Sequence, residues 1–365
     1  MHIARSVLAL AGVGVFAGLS VACQPEAPTL ETQAGTPAVE ALFPPRFGVA
    51  EAPERAPGRV RVATYNIENL FDDVDDPALS DRQEDIDDTK PEGQMDAVAR
   101  AIRAIDADIL CLQEIESREA LAWFMEGRLD GMGYEHVLSI DAGDERGIEQ
   151  AILSRFPIVE SRNWVRRPLG GVHPEKYGNS RNWHAGEEIV FHRSPLMGVV
   201  EIPGEAWGGE EPLSLRVVVV HHKSGRYSQY WRDKEAEGLL EVLGEIDASE
   251  GLGPTLILGD FNAEADAPSV EMYEAAGYTD LFGDNEGKSP TRWVTHESGR
   301  RIDLVLANAG AQALADPASE FVLGTPARPK EISWRELDTF PGYASDHYPV
   351  VFELRAPEGA GRPAP

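Results

Sequence analysis

Thr255-Leu-Ile-Leu-Gly-Asp-Phe-Asn262 passes from an unbroken apolar run straight into a compact polar end. A continuous run, rather than apolar–polar alternation, marks a strand covered on both faces. Val217-Val-Val-Val220 reads the same way. Moving outward, strand patterns are expected over Val60–Ile67, Asp108–Glu114, Ala151–Leu153, Glu188–His192, Leu215–His221, Thr255–Gly259, Ile302–Ala307 and Tyr348–Leu354. Helical spacing predicts helices over Gln94–Ile105, Glu119–Leu129 and Gln229–Ile246, and a weaker one over Pro268–Ala276. In the first, Val98, Ile102 and Ile105 share a face from which Arg100 and Arg103 are excluded. Helices outside buried strands make a layered α/β domain.

The polar residues fall where the strands end. Val62–Tyr65 leads to Asn66 and Glu68, and Ile109–Leu112 leads to Gln113 and Glu114. Val217–Val220 leads to His221, His222, Lys223 and Ser224, while Leu256–Leu258 leads to Asp260 and Asn262. Arg301-Ile-Asp303 enters a further strand, and Ser345-Asp-His347 precedes another. One strand-end Asp or Asn is ordinarily a turn former. Amide, carboxylate and imidazole groups on so many strand ends converge on one edge of the sheets if the strands are neighbours, and that edge is where α/β folds place their sites.

This inventory suits metal-assisted hydrolysis. Carboxylates without cysteines favour a hard ion, Mg²⁺, Mn²⁺ or Ca²⁺. Amides orient water and phosphoryl oxygens, and a His held by an Asp serves as acid, base or electrostatic clamp. No G-x-S-x-G, H-E-x-x-H or paired C-x-x-C motif supports a serine hydrolase, a zinc protease or a zinc finger.

Composition narrows the class further. The chain has 365 residues, 42% of them hydrophobic and 26% charged, which excludes whole-chain disorder, a collagen-like fold and a multi-span membrane protein. Two cysteines exclude a disulfide scaffold. A net charge of −29 opposes tight, processive DNA binding but leaves room for a divalent-metal enzyme with an anionic substrate. Cys111 lies within an apolar run and reads as a core side chain.

The N-terminus reads as an address. Arg5, the apolar run Val7–Ala22 and Ser20-Val-Ala22 fit a secretory signal peptide over residues 1–22. Cys23 follows at once, resembling a bacterial lipid-attachment site, so the protein is expected to be exported, with membrane attachment through a lipidated Cys23. The proline-rich stretch 23–58 reads as an extended linker, 59–356 as the folded domain and 357–365 as a loose tail.

The ordered motifs resemble the endonuclease/exonuclease/phosphatase superfamily, which has the DNase I-like fold. The matching pieces are Thr64-Tyr-Asn-Ile-Glu-Asn-Leu-Phe71, Leu112-Gln-Glu114, Ala151-Ile-Leu-Ser-Arg-Phe-Pro157 and His221-His-Lys-Ser224. Gly259-Asp-Phe-Asn-Ala263, Arg301-Ile-Asp-Leu-Val305 and Ser345-Asp-His-Tyr-Pro-Val350 complete the set. The resemblance implies a four-layer α/β sandwich, with two mixed sheets face to face and helices outside. It also implies roles. Glu114 would be the principal metal ligand, with Asn66 beside it and Asp346 as a second or indirect ligand. Asp260 would orient or deprotonate the attacking water, and Asn262 would hold the phosphoryl group or a ligand water. His347, paired with Asp303, would bind a phosphoryl oxygen or act as general base. His221 would hydrogen-bond the phosphate or assist the leaving group. Lys223, Arg232 and Arg181 would bind substrate in a basic rim that also includes Arg166, Arg167 and Arg226.

The sequence departs from the superfamily's usual pattern at His222, at Glu149-Gln150 and at Ser194. His136, His173, His184 and His296 read as surface or loop residues, and Trp164, Trp183 and Trp231 as packing. The acidic stretch from Asp72 to Glu92 reads as a solvated loop, with a structural Ca²⁺ site as the second choice. The expected activity is that of an exported, monomeric phosphoesterase dependent on Mg²⁺, Mn²⁺ or Ca²⁺, a nuclease-like phosphodiesterase resembling the bacterial secreted nucleases, with DNA and RNA among its candidate substrates. The alternatives are a small-molecule or lipid-headgroup phosphoesterase and a catalytically silent binding protein.

Overall fold

A computed structural model of the chain describes residues 45–76, 88–285, 290–328 and 342–357. Backbone contacts divide the chain after Ala38, and every described residue belongs to the unit Val39–Pro365. The signal peptide, Cys23 and most of the acidic loop and C-terminal tail therefore lie outside the described residues.

The strands in chain order are β1 (Val60–Leu70), β2 (Ile109–Ile115), β3 (His136–Ser139), β4 (Glu149–Ser154), β5 (Ile158–Arg162), β6 (Pro168–Val172), β7 (Lys176–Tyr177) and β8 (Ser180–Arg181). They continue with β9 (Glu188–Val190), β10 (Leu196–Ile202), β11 (Leu213–His221), β12 (Thr255–Asp260), β13 (Thr279–Asp280), β14 (Asp303–Ala307), β15 (Ala315–Val322) and β16 (Val350–Leu354). One six-stranded sheet has the order β15-β16-β1-β2-β4-β3, and the other has β13-β14-β12-β11-β10-β5. Each has one parallel pair at its centre, β1 with β2 and β11 with β12, among antiparallel neighbours. Both sheets are mixed, as expected.

Alternation along the strands builds three apolar layers. Val60 and Val62 of β1, Ile109 and Cys111 of β2, Leu215, Val217 and Val219 of β11 and Leu256 and Leu258 of β12 share the buried layer between the sheets. The opposite faces carry helices. Ala63, Tyr65, Leu110 and Leu112 pack against α1 (Glu92–Ile105) and α2 (Arg118–Met125). Val218, Val220, Ile257 and Leu304 pack against the long helix Gln229–Glu250 and the shorter Pro268–Ala275. The result is helix–sheet–sheet–helix. No described helix is long and apolar enough to cross a membrane.

Three expectations are corrected. Residues 45–58 are not a free spacer: Phe47 is buried in the inter-sheet core with its ring tilted against that of Tyr348, the ring centres 5.9 Å apart, while Pro45 and Val49 bridge to Pro326 and Leu323. The helix expected over Glu119–Leu129 ends at Met125, because Glu126 turns extended and Gly127 takes a positive φ. The strands β3, β5, β6, β7, β8, β10, β13 and β15 went unanticipated. Four of these, β3, β5, β13 and β15, are the edges of the two six-stranded sheets, and β5 alternates between partial burial and exposure instead of presenting an apolar run.

Candidate active site

In the central strands the inner row turns from apolar to polar toward one end of the sandwich. In β11 the row Leu215, Val217, Val219 ends at His221, and in β12 the row Leu256, Leu258 ends at Asp260. In β1, Val60 and Val62 give way to Thr64 and Asn66, and antiparallel β14 opens with Asp303 ahead of Val305 and Ala307. The register pairs Asp260 with both His221 and Asp303. The sandwich core thus changes to polar side chains at one end, where both parallel pairs point their C-termini.

Backbone irregularity aims the remaining groups. Glu114 takes φ 65° at a bulge between the pairs Gln113–Gln150 and Ile115–Glu149, which turns a side chain that alternation would face outward. Asn262 takes φ 48° in a turn closed by its own N–H on Asp260 Oδ1 at 2.7 Å. Thr295 Oγ1 accepts the N–H groups of Ile302 and Asp303, both at 3.0 Å, and so fixes the start of β14. Ser345 Oγ donates to the Asn66 carbonyl at 2.8 Å and accepts the His347 N–H at 3.1 Å, tying the last motif to the first.

Asn66 Nδ2 donates to Glu114 Oε1 at 3.3 Å and to Asp260 Oδ2 at 3.2 Å. Asn262 Nδ2 donates to Asp260 Oδ2 at 3.0 Å. His221 Nε2 lies 3.5 Å from Asp260 Oδ2 and 3.7 Å from Glu114 Oε1. His347 Nδ1 is held by Asp303 Oδ2 at 2.8 Å, and its Nε2 faces Asp260 Oδ2 at 3.7 Å and Asp346 Oδ1 at 3.9 Å. These eight residues, from Asn66 to His347, form one cluster.

The electrostatics separate its two histidines. Burial alone would lower His347, but Asp303, Asp260 and Asp346 outweigh it and hold the imidazole well above its usual value. Burial, then the charges of Arg193, His347 and Arg146, push His221 well below that value, so it is neutral. Burial raises the Asp260 carboxyl to about 6 against the pull of His347. Burial works upward on Asp346 too, but His347 and His296 bring it to about 2.

The substrate-binding expectations divide. Lys223 is half-buried, with Nζ 5.9 Å from the Trp231 ring centre. Arg181 is exposed on β8, in a hairpin joined to the loop after β11 through Tyr177 and Ser228. Arg232 is corrected: it is buried and spends its guanidinium on the carbonyls of Lys223 and Gly225 and on Gln229 Oε1, so it shapes the loop from inside. His173 is buried against Trp231 and Tyr230, not on the surface, and Trp183 is 91% exposed, not packed. His222 bonds Tyr273 Oη at 3.1 Å within the helix-side core.

Two residues that the sequence reading left aside belong to the site. His296 Nε2 lies 3.3 Å from Asp346 Oδ2, with its ring 4.6 Å from that of His347. Lys90 is buried, donates to the Glu68 carbonyl at 2.6 Å and lies in the field of Glu68, Glu114 and Asp346. Neither sits at the end of an apolar run, so no pattern singled them out.

The profile of the Endonuclease/Exonuclease/phosphatase family matches residues 63–347. Solved structures of the same fold include a family protein from Bacteroides thetaiotaomicron, 18% identical over 85% of this chain and 100% of that one, with a TM-score of 0.50. A mannosyl-6-phosphatase from the same species is 18% identical over 81% of this chain and 100% of that one, also at 0.50. An endonuclease/exonuclease/phosphatase from Beutenbergia cavernae is 20% identical, covering 82% of this chain and 72% of that one, again at 0.50. No curated protein sequence matches the chain. With all eight residues of the polar cluster, from Asn66 to His347, inside the matched span, the chain belongs to the Endonuclease/Exonuclease/phosphatase family.

Proposed function

We propose that the protein is an exported, monomeric, divalent-metal-dependent phosphoesterase that cleaves phosphodiesters in the manner of a nuclease. The observation that carries this reading is the Asp303–His347 pair, whose free Nε2 faces Asp260 while Asn66 bridges Asp260 to Glu114. The family's members hydrolyse phosphoester bonds.

The donor set fits a hard cation. Glu68, Glu114 and Asp346 bring three carboxylates into the field of one lysine, Lys90. Glu114 and Asp346 would hold Mg²⁺ or Mn²⁺, with Asn66 Oδ1 as a further oxygen donor, although that atom already accepts the Glu68 N–H at 3.0 Å. Ca²⁺ is the third candidate. Such an ion supplies Lewis-acid stabilisation of the phosphoryl oxygens. His296, Asp346 and His347 also offer ligand atoms within 4.8 Å of one another, as do Asp260, Asp303 and His347. In the second trio His347 Nδ1 is already committed to Asp303, so its part is proton and charge handling.

Asp260, held by Asn66 and Asn262, orients the attacking water and accepts its proton. Cationic His347 holds a non-bridging oxygen through Nε2, and charge developing there strengthens the contact. Neutral His221 offers Nε2 to the leaving oxygen. Export rests on Arg5, the apolar run after it and Cys23; acylation of Cys23, read by mass spectrometry, is its separate test.

The decisive assay follows bis-p-nitrophenyl phosphate and p-nitrophenyl phosphate with Mg²⁺, Mn²⁺, Ca²⁺ or EDTA, beside Asp260→Ala and His347→Ala. Metal-dependent cleavage of the diester, lost in both variants, is the expected result, and DNA and RNA are then the substrates to try. Cleavage of the monoester alone would replace this reading with a phosphatase. No cleavage of either would point to a silent binding protein.

A further inference from the structure

Beyond His221 the site has a flank whose charge the hydrolytic steps leave unused. Asp144, with a fully covered side chain, pairs with Arg193 Nε at 2.5 Å and lies 3.7 Å from His192 Nε2. Its other oxygen accepts the Arg146 N–H at 2.6 Å. One carboxylate thus fixes the loop bearing Arg146 to the chain entering β10. Arg146 Nη2 donates to Asn69 Oδ1, and Asn69 N–H donates to Glu114 Oε2 at 3.0 Å, so this guanidinium reaches the expected metal ligand through a single residue.

The balance of charge here is the reverse of the chain's. Arg193 and Arg146 both act on His221 and on Lys223. Against the three cations stand Asp144, already paired, and Glu235, which takes the N–H groups of His192 and Lys223 and faces His222 at 3.3 Å. Burial keeps His192 neutral, with Arg193 and Lys223 adding to the effect. Arg193 is 3% exposed, and its Nη1 has no hydrogen-bond partner among the described residues. A buried guanidinium N–H without an acceptor is costly, and a phosphate oxygen is the acceptor that its geometry suits. Arg146 and Lys223 are half-buried and open to a ligand.

We propose that Arg146, Arg193 and Lys223 form a second anion site, which takes a phosphate of the substrate other than the one cleaved. The inference rests on the phosphoesterase reading and narrows it to esters carrying at least two phosphates. The second phosphate comes either from a nucleic-acid backbone or from a phosphoanhydride.

The test is calorimetric binding to the full chain in EDTA, which removes metal-held phosphate from the signal. One arm compares pyrophosphate with inorganic phosphate, and the other compares 5′-phosphorylated dithymidylate with its unphosphorylated form. A second-phosphate advantage of about tenfold is expected in one arm, and that arm identifies the source. Arg146→Met and Lys223→Met should each bring the ratio to within about threefold, while Arg146→Lys keeps part of it. Circular dichroism checks that the variants fold. Equal affinities in both arms, or an advantage that survives Arg146→Met, would overturn the site. Hydrolysis of bis-p-nitrophenyl phosphate by the same wild-type sample with Mg²⁺ keeps the two readings apart. Turnover without the advantage removes only the anion site, whereas the advantage without turnover removes only the hydrolase.

Discussion

His347 depends on Asp303 for both its orientation and its charge. With Nδ1 held at 2.8 Å by a buried carboxylate, the ring keeps Nε2 turned toward Asp260. Asp303→Asn keeps the shape and removes the charge, so kcat on bis-p-nitrophenyl phosphate should fall roughly 10²–10⁴-fold. KM should change far less, and steady-state kinetics on the two proteins will show the split. A second titrating residue lies off the centre. Burial raises Glu149 from its ordinary 4.5 to about 7, although Ser139 Oγ donates to it at 3.1 Å. Between those values the folded chain keeps a proton that the unfolded chain has lost, so stability falls as pH rises through this window and levels off above it. Glu149→Gln should therefore gain on the wild type between pH 4.5 and pH 8, measured as the shift in urea midpoint at each end. Cys111 is fully buried between the sheets, and burial pushes its thiol far up, as its apolar neighbours in the sequence imply.

At the scale of elements, the β11–β12 pair shows how tightly the site is framed. Gly259 has φ +139°, and a Cβ there would lie 2.0 Å from the Val220 carbonyl oxygen, a backbone atom that cannot yield without opening the parallel ladder. Gly259→Ala should cost about 2–4 kcal/mol of stability in urea unfolding and should displace Asp260, the next residue. The central strands were legible because they are covered on both faces and so read as apolar runs. The edge strands were not, since partial exposure gives β5 the mixed sequence Ile158-Val-Glu-Ser-Arg162. The bulge at Glu114 left no mark of its own, because the alternation that it breaks is visible only against the partner strand.

Across the whole molecule, the segment before β1 packs against the sandwich, and its Phe47 lies at the end that carries the site. Phe47 is 6% exposed and meets Tyr348, the neighbour of His347. Phe47→Ala should lose about 3 kcal/mol, checked by thermal and urea unfolding, and should lower turnover through the loosened Tyr348. A proline-rich composition described this stretch as linker because an isolated aromatic carries no periodic signal. The excess of negative charge is likewise an average that misses the local cations. Arg146, Arg193 and Lys223 stand far apart in sequence, and Asp144, itself part of the acidic excess, pairs with the Arg193 guanidinium and accepts the backbone N–H of Arg146.

The layered α/β class and the central strands are legible in the order of residues along the chain. Strand ends placed Asn66, Glu114, His221, Asp260, Asn262, Asp303, Asp346 and His347 in polar clusters alongside Glu68, Gln113, His222 and Lys223, and the ordered motifs of the superfamily picked the eight out from those neighbours. Sheet packing alone brings these ends together, since their convergence depends on two sheets each placing a parallel pair with its C-terminal ends at the same end of one core. The fold likewise turns Arg232 inward, joins His296 to Asp346 and gathers cations beside His221. Those are contacts between loops distant in the chain, and no period of two or of 3.6 residues records them.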